Sequence, residues 1–224
     1  MSPKYRSIPN VILFGIYSEL SYNLHNLIIA KCLNIRIIET KLRAPGNRTP
    51  LIKYMPFTPY HIVAGTSVKS VFPKYFSFST FTLTNVLIDC EALYYYFTTG
   101  VLSHKFFHTI FGVSIVAIIC ATLGKPVCEF GLRIWNKTLK MENIKWFKTE
   151  IKINNFSSWI GAITGALSQL ILDSIMHKDM TPLFPFSNQN LFLRIVSVEN
   201  LHYICLGLFV IGVVIYLLKK VFFK

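Results

Sequence analysis

From residue 76 to residue 218 the chain alternates long apolar runs with short polar stretches. The runs FSFSTFTLTNVLIDCEALYYYF (76–97), FHTIFGVSIVAIICATLG (107–124), FSSWIGAITGALSQLILDSIM (156–176) and LHYICLGLFVIGVVIYLL (201–218) each come close to the roughly 20 residues that a helix needs to cross a bilayer. Ahead of them, HIVAGTSVKSVF (61–72) is apolar over only about half that length. The pattern predicts an all-α fold: a polytopic helical membrane protein with about four transmembrane helices plus one half-length helix. Gly161 and Gly165 stand in the G-x-x-x-G spacing that lets helices approach closely. Residues 1–54 lack this texture. NVILFGIYSEL soon turns polar with no small-residue cleavage site after it, and ETKLRAPGNRTPLIKY is punctuated like a loop. We therefore expect residues 1–54 to be an N-terminal extension, either poorly ordered or upstream of a natural start at Met55, and residues 55–224 to be the helical membrane domain.

Composition supports a lipid-embedded chain: 53% of the 224 residues are hydrophobic and 15% charged, with a mean hydropathy of +0.48, against about 25% charged in soluble domains. The net charge of +13 changes the picture only through its distribution. Lys125, Arg133, Lys137, Lys140, Lys145, Lys148 and Lys152 fall in one connection, and Lys219, Lys220 and Lys224 follow the last run. That is the signature of cytoplasmic loops, not of a nucleic-acid recognition helix with interleaved aromatic residues, so no nucleic-acid partner is expected. Loop 125–155 and the C-terminus are then cytoplasmic, with residues 98–106 and 177–200 on the outer side of a cell inner membrane. The five cysteines are scattered, without C-x-x-C, and read as small apolar residues.

On this topology the ionisable residues gather at the outer end of the spans. Asp89 and Glu91 lie in the outer half of the first, His104 and His108 begin the second, Asp173 and His177 end the third, and His202 begins the fourth. Charged groups within a span cost about 2.5–3.5 kcal/mol each, so their partners are expected to be one another. His104 and His108 stand at i and i+4, the spacing with which two imidazoles on one helix face share a metal; Asp173 and His177 repeat it. Carboxylates with imidazoles suit zinc or another borderline divalent ion. Other readings stay open for each residue: interfacial histidines for the pair, an interhelical hydrogen bond for Asp89, an interfacial carboxylate for Glu91, and a flanking interfacial residue for His202. Asp89 and Glu91 point about 200° apart on an ideal helix, so both reach one centre only if the helix ends or unwinds there.

The blocks MPFTPYH, NVLIDCEALYY, HKFFHTIFG and GALSQLILDSIMHKDMTPLFPFS, followed by LH, resemble in order those of the bacterial inner-membrane-associated metal-dependent hydrolases, the LexA-regulated membrane-bound hydrolase family. The resemblance runs over residues 55–215 and implies a divalent metal site, with His61, Asp89, His104, His108 and Asp173 as ligands and Glu91 beside them in the D-x-E block. Where the family shows a histidine four residues before the last aspartate, this chain has Gln169. The implied activity is metal-dependent hydrolysis; from the residues themselves we expect an ester or phosphoester as substrate, Glu91 or His177 as general base and zinc as the ion, and from the apolar composition and the depth of the site the lipid bilayer as partner and a lipid or lipid-linked substrate. The rival reading is a non-catalytic integral membrane protein in which Gln169 and the buried polar residues form a structural polar or metal cluster. An ion relay through the carboxylates is less well matched, since the chain shows no pair of broken helices in corresponding halves.

Overall fold

The computed structural model describes residues 59–141 and 148–222; the expectation for residues 1–54 lies outside them. Among the described residues there are six α-helices, one 3-10 turn and no strand. The helices are α1 (Pro59–Val71), α2 (Phe78–Thr99), α3 (Ile110–Thr122), α4 (Gly124–Met141), α5 (Asn155–Met176) and α6 (Val198–Phe222), with the 3-10 turn Phe106–His108 just before α3.

The helix boundaries follow from local chemistry. Ser77 caps α2 by accepting from Thr80 N, and Gly100, at φ 75°, ends it with its N–H on Tyr96 O. Glycine suits this left-handed position because it has no Cβ to clash. Thr109 caps α3 through Gly112 N, and Asn154 caps α5 through Phe156 N and Ser157 N.

Two helices, α5 and α6, are long and apolar enough to cross a membrane, and a third span exists only if α3 and α4 are counted as one segment bent by 54°. This is fewer than the four runs suggest, for two physical reasons. Helix α2 has the length but carries Thr80, Thr84, Asn85 and Asp89 on a buried polar face. Helix α3 stops after 13 residues, at Thr122. The connection expected at 125–155 is also helical over much of its length, as α4: Cys128 and Leu139 are buried, Phe130 and Ile134 exposed, and Arg133, Lys137 and Lys140 lie on its outer side.

Helix α5 is the centre of the bundle, packing along both α2 and α3. The core joins Ile88 of α2, Val113, Val116, Ala117 and Cys120 of α3, and Ala162, Ala166 and Leu170 of α5. Its glycines permit the approach. A methyl group on Gly165 would lie 2.8 Å from Phe81 O, a backbone atom that cannot yield alone. Gly165→Ala is therefore expected to cost about 1–3 kcal/mol through overpacking, read as a lowered thermal midpoint in detergent. An unchanged midpoint would show that α2 and α5 do not pack this closely.

The half-length helix α1 packs on α6. Ser70 Oγ donates to Gly212 O at 2.7 Å, and Lys219 Nζ donates to Ser70 O at 2.7 Å and Val71 O at 3.1 Å, satisfying carbonyls at the C-terminal end of α1. Beyond these contacts α6 exposes Ile204, Leu208, Ile211, Val214 and Leu218, an apolar surface suited to lipid.

Candidate metal centre

The polar face of α2 and the last two turns of α5 bring Asp89, Gln169 and Asp173 together, and the turn before α3 adds His108; all four are buried. One ligand atom from each of Asp89, His108 and Asp173 lies within 4.8 Å of the other two. His108 Nε2 is 3.6 Å from Asp173 Oδ2 and 4.0 Å from Asp89 Oδ1. Ligands 2.0–2.2 Å from a tetrahedral ion are about 3.3–3.6 Å apart, so modest closure would suffice. His61 in the first turn of α1 completes one edge: Nδ1 lies 3.0 Å from Gln169 Oε1 and 3.7 Å from Asp173 Oδ1.

Glu91 explains why His108 points as it does. Asp89 and Glu91 do face different directions on an unbroken helix, but they meet the same imidazole from its two sides. Glu91 Oε2 accepts from His108 Nδ1 at 3.2 Å, so the Nδ1-protonated tautomer leaves Nε2 with a lone pair aimed at Asp89 and Asp173. The same oxygen accepts the backbone N–H groups of Lys105 at 3.1 Å and Phe107 at 2.9 Å. It thereby anchors the chain at residues 105–107, where Phe106–His108 form the 3-10 turn ahead of α3, which begins at Ile110. His104 and His108 consequently do not share one helix face as their spacing suggests; their rings meet edge to face, with centroids 4.6 Å apart.

Gln169 occupies the middle of the cluster. Its Nε2 donates to Asp89 Oδ1 at 2.5 Å and to Asp173 Oδ2 at 2.8 Å, so one amide ties two carboxylates together. Among the described residues no lysine or arginine pairs with either carboxylate. Among the described residues, the buried Nε2 atoms of His108 and His61 have no hydrogen-bond partner. A buried imidazole nitrogen without a donor, facing two carboxylates without a cation, fits a divalent metal: the ion would supply both the missing bond and the missing positive charge.

His104 and His177 lie apart from this group. His104 Nδ1 sits 3.0 Å and 3.2 Å from the carboxylate oxygens of Asp179, and its backbone N–H donates to Asp179 Oδ2 at 2.8 Å. His177 ends α5 as its C-cap, and its ring lies 4.1 Å from that of His104. The i, i+4 pair of Asp173 and His177 is thus divided between two neighbouring clusters. Burial and the adjacent His104 lower the pKa of His177 to about 4, so the ring is neutral at pH 7. Burial opposes the Asp179 charge, but the hydrogen bonds from the His104 ring and backbone outweigh it and hold this carboxyl below its usual range. His202 joins neither cluster and stacks on Tyr60 at 4.5 Å.

Asp179 is the residue least visible in the sequence, where it reads as part of a Pro-rich connection. Its only signal is its position two residues after His177, beyond the helix end that turns the chain back toward His104.

Over the described residues, fold and site together define an all-helical structure with candidate membrane-crossing helices and two His/Asp groups, one of them fully buried, able to hold a metal ion. No protein-family model, no curated protein and no solved structure matches the chain.

Proposed function

We propose that this protein is a membrane-embedded, metal-dependent hydrolase acting on an ester or phosphoester, with Asp89, His108 and Asp173 holding a divalent ion and His61 at its edge. The observation that carries the reading is His108 Nε2, buried, without a hydrogen-bond partner among the described residues, and directed at two buried carboxylates. The resemblance of residues 55–215 to the LexA-regulated membrane-bound hydrolases supports the same conclusion. So does the donor set, mixed imidazole and carboxylate, for which zinc is the expected ion.

When bound, such an ion lowers the pKa of a coordinated water and polarises the scissile oxygen. The chain supplies the rest. Glu91 fixes the tautomer and aim of His108 and anchors residues 105–107, so it is a positioning residue and not the base. Placement of Gln169 and Asp173 on α5, a helix long and apolar enough to span, favours a lipid-linked substrate and an inner-membrane location, and the basic residues of α4 and the C-terminal end of α6 favour the cytoplasmic side for those segments.

Glu91→Gln is expected to weaken metal binding about 10–100-fold by loosening His108, measured by competition with a chromophoric chelator. Unchanged affinity would remove the orienting role. The function itself is tested by purifying the full chain in detergent and assaying chromogenic carboxylic esters and phosphodiesters after chelation and after zinc is restored. Zinc-dependent turnover supports the reading; turnover that ignores chelation contradicts it.

One observation favours a second reading. Because the Gln169 amide already bridges Asp89 and Asp173, the cluster has an internal tie that holds α2 to α5 without an ion. A non-catalytic membrane protein with a structural polar cluster would show this contact and no metal-dependent turnover.

A further inference from the structure

We propose a second divalent-cation site, formed by His104, His177 and Asp179 and adjoining the first. It goes beyond the hydrolase reading and does not require it, because none of its three side chains belongs to the Asp89, His108 and Asp173 group.

The three residues come from separate pieces of chain that the fold forces together. His104 lies in the connection after α2, where Glu91 on the next residues and Asp179 on its own N–H fix the backbone. His177 terminates α5, and Asp179 follows two residues later in the turn. One ligand atom from each lies within 4.8 Å of the other two. The two Asp179 oxygens stand 3.0 Å and 3.2 Å from His104 Nδ1, close to the spacing of about 3.3 Å expected between neighbouring ligands of a tetrahedral ion.

A simple His104–Asp179 hydrogen-bonded pair would account for two of these residues but not for the third. The His177 ring is half-buried against His104 at 4.1 Å, tilted by 31°, and among the described residues no hydrogen bond engages it. Two imidazoles in contact, with a carboxylate alongside, together offer a cation three donors. Around them stand His108, 4.6 Å from His104 by ring centroids, and Asp173, whose carbonyl accepts the His177 N–H at 2.8 Å. Two imidazoles and one carboxylate, with Asp179 partly open to solvent, match a borderline divalent ion such as zinc or cobalt with a remaining position for water. If the hydrolase reading also holds, two adjacent ions favour a phosphoester over a carboxylic ester, since paired metals stabilise both the attacking and the leaving oxygen.

Metal stoichiometry on the full chain in detergent tests this. After chelation, cobalt(II) is titrated into wild type, His177→Ala, Asp179→Asn and Asp173→Asn, following visible absorption and bound metal per chain, with thermal unfolding to confirm folding. The expected result is two equivalents in wild type and one in each variant, with His177→Ala and Asp179→Asn losing the same spectral component and Asp173→Asn the other. A single wild-type equivalent that persists in His177→Ala and Asp179→Asn overturns the second site and leaves the first standing. A single equivalent lost in those two but kept in Asp173→Asn supports the second site and overturns the first. No bound cobalt in the wild type overturns both.

Discussion

Asp173→Asn is expected to abolish hydrolysis, lowering turnover by about a thousand-fold or more, because the several kcal/mol that a bound metal contributes to the transition state disappear with it. The substitution preserves side-chain volume, and an asparagine oxygen can still accept the Gln169 Nε2 hydrogen bond that Asp173 Oδ2 accepts at 2.8 Å. What it removes is the charge that faces His108 Nε2 at 3.6 Å. Folding should survive while metal binding at this site does not. The check is paired: metal content and turnover of a chromogenic phosphodiester, both in the same detergent preparation. An Asp173→Asn protein that retains turnover would exclude this aspartate as a ligand needed for catalysis.

Gln169→Leu is expected to act on stability in the opposite setting, when no metal is present. It deletes the one amide that donates to both Asp89 and Asp173, leaving two buried carboxylates with imidazoles as their nearest partners. Breaking such a buried network costs about 3–5 kcal/mol. With chelator present, the thermal midpoint should therefore fall well below that of wild type. Zinc should restore much of the loss, because a ligand at a hundred times its Kd contributes about 2.7 kcal/mol. Gln169→His keeps a polar group at the position and adds an imidazole beside the carboxylates, so it is expected to bind zinc more tightly than wild type. If Gln169→Leu melts with wild type in chelator, the amide is not what holds α2 to α5.

Much of the helical pattern was legible in the apolar runs, and three helices also carry local signals at their ends: Ser77, Thr109 and Asn154 at the starts of α2, α3 and α5, and Gly100 at the end of α2. The number of spans was not. Apolar length alone does not reveal that α3 ends at Thr122, or that α2 buries Thr80, Thr84, Asn85 and Asp89. In the site, Asp89, His108 and Asp173 come together with His61 at their edge, as residue type and the resemblance suggest. The roles of Glu91 and His104 depended on tertiary contacts that spacing does not encode. The i, i+4 rule places His104 and His108 on one helix face only if one α-helix carries both, but the α-helix begins at Ile110, after a 3-10 turn at Phe106–His108 whose approach is tied to the Glu91 carboxylate. Gln169 shows the same limit from the other side. It reads in sequence as a departure from a ligand pattern, and in three dimensions as the hydrogen-bond centre of the cluster.

The central claim is that Asp89, His108 and Asp173 hold a divalent ion, and elemental analysis of the full chain purified without chelator tests it most directly. The expected result is bound zinc, or another divalent transition metal, in stoichiometric amount in the wild type, reduced by one equivalent in both His108→Ala and Asp173→Asn. A folded wild type that carries no such metal, and takes up none when zinc is supplied after chelation, would contradict it.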